Sequence, residues 1–252
     1  LGGIGFIVTV DLYNWGRKRV RKEERRPHLT LHTRIVLVST ASLLVLGTVL
    51  TLGLEYDHTL KDLNFWEKLN ASFFQSVTAR TAGYATIPQG ELGDATKLVT
   101  IILMFIGASP SSTGGGIKTT TFVVLVATVV SISRGRDETV INKRRVDKSV
   151  VYRAMTIVAM AFLVIAITSG VIMVTTPPEV SAIDAVYEAV SAFGTVGLTT
   201  GLTPDLSIVA KILVMLTMFI GRVGPISLVL ALTMKHSGGP GKILPEGKVI
   251  VG

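Results

Sequence analysis

The 252-residue chain contains no cysteine. That removes disulfides, thiolate metal sites and cysteine nucleophiles without identifying a compartment. Charge is scarce: 17% of residues are charged, against about a quarter in ordinary soluble domains, while 48% are hydrophobic and the mean hydropathy is +0.57. Such a composition points to a membrane protein. Hydrolytic motifs are missing too, with no H-E-x-x-H, no G-x-S-x-G and no carboxylate pair inside an apolar run. The chain opens at Leu1 without an initiator methionine or a basic stretch before an apolar one, so it reads as cut from something longer and carries no signal peptide.

What is present is a series of uncharged runs near the roughly 20 residues that a bilayer needs. Runs at 35–54 and 154–178 predict uninterrupted spans and 212–234 a span interrupted by Arg222, while the apolar stretch 1–15 reads as the end of a truncated helix. The run at 98–117 is 20 residues long, lies between Lys97 and Lys118, and continues to about 132. It holds Pro110 and three consecutive glycines, Gly114, Gly115 and Gly116, which disfavour an unbroken helix. Two further stretches, 65–86 and 182–200, begin with capping-box spacing at Asn64/Glu67 and Ser181/Asp184 and end in glycine-bearing backbone. They predict re-entrant loops, each a short helix that enters the membrane and turns back.

Basic residues set the expected orientation. Eight Lys/Arg lie in 17–34, seven in 134–153 and three in the tail from Lys235, which together hold 18 of the 25 and so read as cytoplasmic. The acidic segment 55–67 suits the opposite side. Basic loops flanking apolar spans favour membrane topology over nucleic acid as the meaning of the net charge of +8.

A shift of 114 residues superposes Thr81 on Thr195, Gly83 on Gly197, Lys97 on Lys211, and Met104-Phe105-Ile106-Gly107 on Met218-Phe219-Ile220-Gly221. The opening Leu1-Gly2-Gly3-Ile4-Gly5 resembles Ile220-Gly221-Arg222-Val223-Gly224, so another copy ends where the chain starts. The repeated unit is helix, pore loop, helix. A short helix ending at mid-membrane aims a partial negative charge at the site and favours a cation. Extended Thr-x-Gly backbone beyond it can offer carbonyl oxygens in place of an ion's hydration shell. Non-helical backbone at that depth is tolerated where it is buried in protein or lines water, so two such loops imply a shared pore.

The segments ARTAGY, FGTVGLTTGLTP, MFIGASPSSTGGGIKTTTF, MFIGRVGP and PEGKVIVG, in this order, resemble the membrane subunits of the Ktr/Trk/HKT superfamily of potassium transporters, with the last pointing to the bacterial KtrB branch. The resemblance implies an all-α membrane protein of M1-P-M2, potassium-channel-like repeats with re-entrant pore loops. On this reading 1–16 is the end of the second helix of repeat two, and 17–34 a cytoplasmic basic linker. Repeat three covers 35–133 and repeat four 154–234, joined by the cytoplasmic loop 134–153 and followed by the cytoplasmic tail 235–252. The implied activity is potassium uptake by a pore subunit, not enzymatic catalysis. The implied selectivity filter is Thr81, Ala82 and Gly83 with Thr195, Val196 and Gly197. Potassium, with sodium as a second ion, is the only bound species expected, with no covalent cofactor and no metal site beyond the filter. A homodimer on a cytosolic KtrA/TrkA-like ring is implied, with nucleotide acting through that ring. Unlike the T-V-G-Y-G of tetrameric channels, Tyr84 is followed by Ala85 and Leu198 by Thr199, which predicts fewer carbonyl rings and weaker rejection of sodium.

For the broken helix the resemblance implies an intramembrane loop that obstructs the pore below the filter. Gly114, Gly115 and Gly116 permit its rearrangement, and Ser109, Ser111, Ser112 and Thr113 offer polar contacts to water or ions. A kinked helix packed through small residues is the alternative. Arg222, inside an otherwise uncharged span, costs about 2.5–3.5 kcal/mol to insert at a helix centre; it reads as a second gate element, or alternatively as a snorkelling structural arginine. Lys118 sits near the expected inner mouth. Asp184 and Glu188 suit capping and the outer vestibule. The run GGGIKTTT lacks the Gly-Lys-Ser/Thr order of a phosphate loop, and His28 and His32 lie in a basic linker that disfavours a metal site. Two rival classes stand beside the transporter reading. One is a membrane sensor or enzyme that binds a small ligand at broken helices; the other is a soluble helical binding module.

Overall fold

A computed structural model describes residues 3–21, 28–136, 138–142, 144–176 and 180–224. Eight helices dominate it: α1 (Phe6–Val20), α2 (Leu31–Glu55), α3 (Phe65–Thr78), α4 (Asp94–Phe105), α5 (Thr119–Ser133), α6 (Lys148–Thr175), α7 (Ala182–Gly194) and α8 (Ile208–Val223). The only named strands among the described residues form a two-stranded antiparallel hairpin, β1 (Val140–Ile141) and β2 (Arg144–Arg145), with Val140 opposite Arg145.

Only α2 and α6, at 25 and 28 residues, are long and apolar enough among the described residues to cross a membrane by themselves. The run from residue 98 divides as its proline and glycines require, into α4 and α5 around the non-helical residues 106–118. At 12 and 15 residues those halves are about 18 and 22 Å long, each short of a bilayer's roughly 30 Å. The segments 22–27, 177–179 and 225–252, including the expected tail and the end of the last span, lie outside the described residues.

Helix ends correct several sequence boundaries. The basic segments are partly helical, since α1 runs on to Val20 and α6 starts at Lys148, inside the stretch read as loop 134–153. Asp147 caps α6, accepting from the Ser149 N–H at 2.7 Å. Thr30 caps α2, and Asp11 of α1 accepts from the Thr30 N–H and hydroxyl at 3.1 and 2.9 Å, tying the two helices together. The capping box predicted at Asn64/Glu67 is present on α3. The one predicted at Ser181/Asp184 is not: Ser181 makes no side-chain cap, and Asp184 turns instead to Lys97 of α4 at 2.8 Å.

The core forms around α7, on which Ala185 and every residue from Tyr187 to Gly194 are buried. Helices α4, α6 and α8 surround it, and α3 packs on α2. Small and hydroxylated residues make the close contacts, as expected where lipid supplies no hydrophobic drive between helices. Thr168 and Thr217 join α6 to α8 through a 2.7 Å hydroxyl contact, and Ser76 of α3 donates to the Leu44 carbonyl of α2 at 3.0 Å. Apolar side chains such as Val45, Val49, Phe162, Leu163, Ile212 and Phe219 point outward.

Gly221 marks the tightest helix contact, where a Cβ would overlap the Phe193 carbonyl of α7. Backbone cannot move aside as a side chain can, so Gly221→Ala is expected to cost more than the usual 1–3 kcal/mol or so of overpacking. Its thermal midpoint in detergent should fall by many degrees. Gly53→Ala, whose Cβ position has nothing within 4 Å, should leave the midpoint unchanged or raise it.

Candidate functional site

Helices α3 and α7 both end by feeding a Thr-x-Gly segment, and the two segments share one conformation. Thr81 and Gly83 have φ of 70° and 78°; Thr195 and Gly197 have 50° and 93°. Left-handed backbone on a β-branched residue is uncommon and costs on the order of 1–3 kcal/mol. The same strain at the same place in both loops therefore needs support from outside the loop. Part of that support is mutual. A Cβ on Gly83 would overlap the Val196 carbonyl oxygen, and one on Gly197 would lie 3.8 Å from Gly83 Cα. The six residues Thr81, Ala82, Gly83, Thr195, Val196 and Gly197 thus come together.

Beyond each glycine the backbone is drawn back to its own helix. The Thr78 hydroxyl donates to the Tyr84 carbonyl and the Ser191 hydroxyl to the Leu198 carbonyl, both at 2.6 Å. Those two carbonyls therefore face α3 and α7, and among the described residues no hydrogen bond is found to the Thr-x-Gly carbonyls. Glu188, expected near the helix start as a cap, lies further along α7 and holds the loop that follows the second Thr-x-Gly segment. It accepts from the Thr199 hydroxyl, from the Thr200 N–H at 3.0 Å and from the Thr203 hydroxyl at 2.8 Å.

Residues 106–118 form a closed loop, pinched at its base by a parallel bridge between Ile106 and Ile117. Its tip reaches the Thr-x-Gly segments, with the Gly115 N–H donating to Thr195 Oγ1 at 3.1 Å. This packing gives the glycine triplet a reason that composition did not reveal. A Cβ on Gly114 would meet Thr81 Oγ1 at 2.5 Å, and one on Gly115 would meet Thr195 Oγ1 at 2.5 Å. Only Gly116 has a positive φ, 70°. In this conformation close approach requires the first two glycines, and backbone freedom only the third.

Of the loop hydroxyls, two are already engaged. Ser109 sits 3.2 Å from the Thr119 hydroxyl and Ser112 donates to the Ser109 carbonyl at 2.5 Å, whereas Ser111 and Thr113 are exposed. A second backbone segment docks on the same loop: the Ser109 N–H donates to the Gly3 carbonyl and the Phe6 N–H to the Ser111 carbonyl, both at 3.0 Å.

Cations hold three of the loop carbonyls. Arg222, in the last described turn of α8, donates to the Thr113 carbonyl, and Lys118 donates to the Gly114 carbonyl at 2.5 Å. Arg80, which sequence reasoning missed, donates weakly to the Gly107 carbonyl at 3.4 Å. It borders a cavity of about 330 Å³ lined also by Gly3, Thr40, Thr81 and Thr113. A signal for it was present: a charge directly before Thr-x-Gly, where the second copy has Gly194. The arrangement can offer carbonyls and helix C-termini to a cation, above a loop whose own carbonyls are occupied by fixed positive charge.

The sequence profile of the TrkH family, described as a cation transport protein, matches residues 1–239. Ktr system potassium uptake protein B of Bacillus subtilis is 36% identical over 253 residues, covering 100% of this chain and 54% of that protein. Potassium/sodium uptake protein NtpJ of Enterococcus hirae is 38% identical over 255 residues, covering 100% of this chain and 55% of that protein. The chain therefore spans about half the length of the curated relatives it matches. The crystal structure of the potassium transporter TrkH from Vibrio parahaemolyticus shares the fold, with a TM-score of 0.66 at 20% identity over 92% of this chain and 49% of that one. The chain belongs to the TrkH family of cation transport proteins, membrane transporters rather than enzymes.

Proposed function

We propose that the chain forms part of the pore of a potassium uptake system, contributing repeats three (35–133) and four (154–234) of four M1-P-M2 units and, in 1–16, the end of another. One observation carries this reading: two short helices deliver their C-terminal ends to adjoining Thr-x-Gly segments with the same left-handed backbone at Thr and Gly. Helix C-termini favour a cation, and closely spaced carbonyls can replace its hydration shell. Potassium as cargo is supported by the name of the Bacillus relative, and sodium as a second ion by that of NtpJ. Ions pass down their electrochemical gradient through carbonyls of residues 81–83 and 195–197.

The gate is the loop of Ser109, Ser111, Ser112, Thr113 and Gly114–Gly116 with Lys118 and Arg222. The observed contact between Gly115 and Thr195 supports a closed position directly inward of the filter. Two cations bonded to the consecutive carbonyls of Thr113 and Gly114 raise the local barrier to a positive ion. The basic segments 17–34 and 134–153 and the tail 235–252 face the cytoplasm. The resemblance to the KtrB branch supports a homodimer of complete subunits on a cytosolic nucleotide-binding ring.

Three variants of the complete transporter test this reading. Gly197→Ser adds a side chain to the filter backbone, and reversal potentials should show a markedly lower potassium-to-sodium permeability ratio; an unchanged ratio in inserted protein removes Gly197 from the filter. Deleting Ser111 to Gly116 should give high uptake that no longer needs the regulatory ring yet remains potassium-selective, whereas uptake that stays ring-dependent defeats the gate. Gly115→Ala places a Cβ against Thr195 in the observed position, so it should disfavour closure and raise basal potassium flux. Basal flux at the wild-type level would place the resting loop away from Thr195.

A further inference from the structure

Helix α7 carries a second polar system about two turns before the end that meets the loop of residues 106–118, and the ion path described above does not use it. Tyr187 is fully buried, and its hydroxyl donates to Gln89 Oε1 at 2.8 Å across 98 residues of chain. Gln89 is 3% exposed and pairs with Gln75 of α3, itself 1% exposed. Gln75 Nε2 donates to Gln89 Oε1 at 2.6 Å, and Gln89 Nε2 donates back to Gln75 Oε1 at 3.1 Å. The other N–H of Gln89 goes to the Ile87 carbonyl at 2.6 Å.

Every bonding position of the Gln89 amide is therefore filled, two donors and two acceptor sites. The Ile87 carbonyl also fixes which way the amide points, because a flipped side chain would set oxygen against oxygen there. Such a saturated buried network holds its members in one geometry.

What it joins matters more than its strength. Gln89 belongs to the outer loop that follows the first Thr-x-Gly segment, and Gln75 to the helix that precedes it. Tyr187 belongs to the helix that precedes the second segment. The neighbouring residue, Glu188, holds the outer loop of that second segment through Thr199, Thr200 and Thr203. The two outer loops also touch, since a Cβ on Gly90 would come within 2.6 Å of the Thr200 carbonyl oxygen. Two consecutive residues on one turn of α7 thus grip both outer loops, one through an amide pair and the other through a carboxylate.

We propose that Tyr187, Gln89 and Gln75 form a cross-repeat brace that sets the spacing of the two Thr-x-Gly segments, making Tyr187 a positioning residue for ion selectivity. The proposal rests on the filter assignment above. Its physical content is that discrimination between potassium and sodium depends on how firmly the carbonyl set is held and how many carbonyls reach the ion. The Tyr187 hydroxyl is the only side-chain hydrogen bond found between α7 and the loop of residues 85–93 among the described residues. Removing it cuts that link between the repeats, leaving the two filter segments joined by the contact of Gly83 with Val196 and each tied to its own helix by Thr78 and Ser191.

Tyr187→Phe is the clean test, because it deletes a donor and leaves no buried donor unpaired; Gln89 Oε1 keeps Gln75 as its partner. In the complete transporter with its regulatory ring, reversal potentials in mixed potassium and sodium should show the permeability ratio falling, by up to about ten-fold, the range one neutral hydrogen bond allows. Gln89→Leu should lower the ratio at least as far, and the double variant should fall no further than Gln89→Leu alone, because both cut the same link. Inserted amount and thermal midpoint in detergent are measured alongside. A wild-type ratio in inserted Tyr187→Phe protein overturns the brace, and so does a lowered midpoint with an unchanged ratio, which is the behaviour of a purely structural contact. Gly83→Ser and Gly197→Ser in the same assay separate the two ideas. If they shift the ratio and Tyr187→Phe does not, the brace alone fails; if neither glycine variant shifts it, the filter assignment fails first.

Discussion

Backbone N–H and C=O groups that leave a helix inside an apolar layer have no water to bond, and stranding one costs several kcal/mol. In a membrane transporter family, non-helical stretches at the centre of the fold must therefore find their partners within the protein. The partners here come in three kinds. Hydroxyls of Thr78 and Ser191 take the carbonyls just past the Thr-x-Gly segments. Cationic side chains of Arg80, Lys118 and Arg222 take carbonyls of the 106–118 loop. The chain's own backbone supplies others, at residues 3–6 and 109–111.

That requirement also dictates side-chain size. Irregular segments that satisfy one another must approach closely, and the approach leaves no room for a Cβ at Gly114, Gly115 or Gly83. Helix α7 shows the same economy on a larger scale. It is largely buried, and the Ser191 hydroxyl, the Tyr187 phenol and the Glu188 carboxylate are each assigned to a loop. Lys97, aligned with Lys211 by the repeat, illustrates how the two copies diverge under this pressure: the first pairs with Asp184, the second with the Pro204 carbonyl.

The helical fold, the break in the run from residue 98 and the two Thr-x-Gly segments were legible in the sequence because each has a local cause: uncharged length, a proline with three glycines, and a motif recurring at a fixed spacing. Relations between distant segments were not. Ser181 and Asp184 have capping-box spacing, yet Asp184 is drawn away by Lys97, 87 positions earlier. Gly115 reads as flexible until Thr195 is seen beside it, and Arg80 reads as an ordinary basic residue until Gly107 is within reach. Periodicity and composition cannot report which backbone a side chain will meet after folding.

The docking of residues 3–6 on the loop has a mechanical meaning. Sliding residues 109–111 past that segment strands the groups now joined as Ser109 N–H to Gly3 carbonyl and Phe6 N–H to Ser111 carbonyl, at about 1–3 kcal/mol for each group left unpaired. Carrying α1 along breaks neither bond. Helix α1 begins at Phe6 and ends among Arg17, Lys18 and Arg19, and midway Asp11 hooks it to the start of α2. A displacement of the loop that keeps both bonds therefore has to carry the start of α1 with it, and Asp11 ties that same helix, midway along its length, to the start of α2.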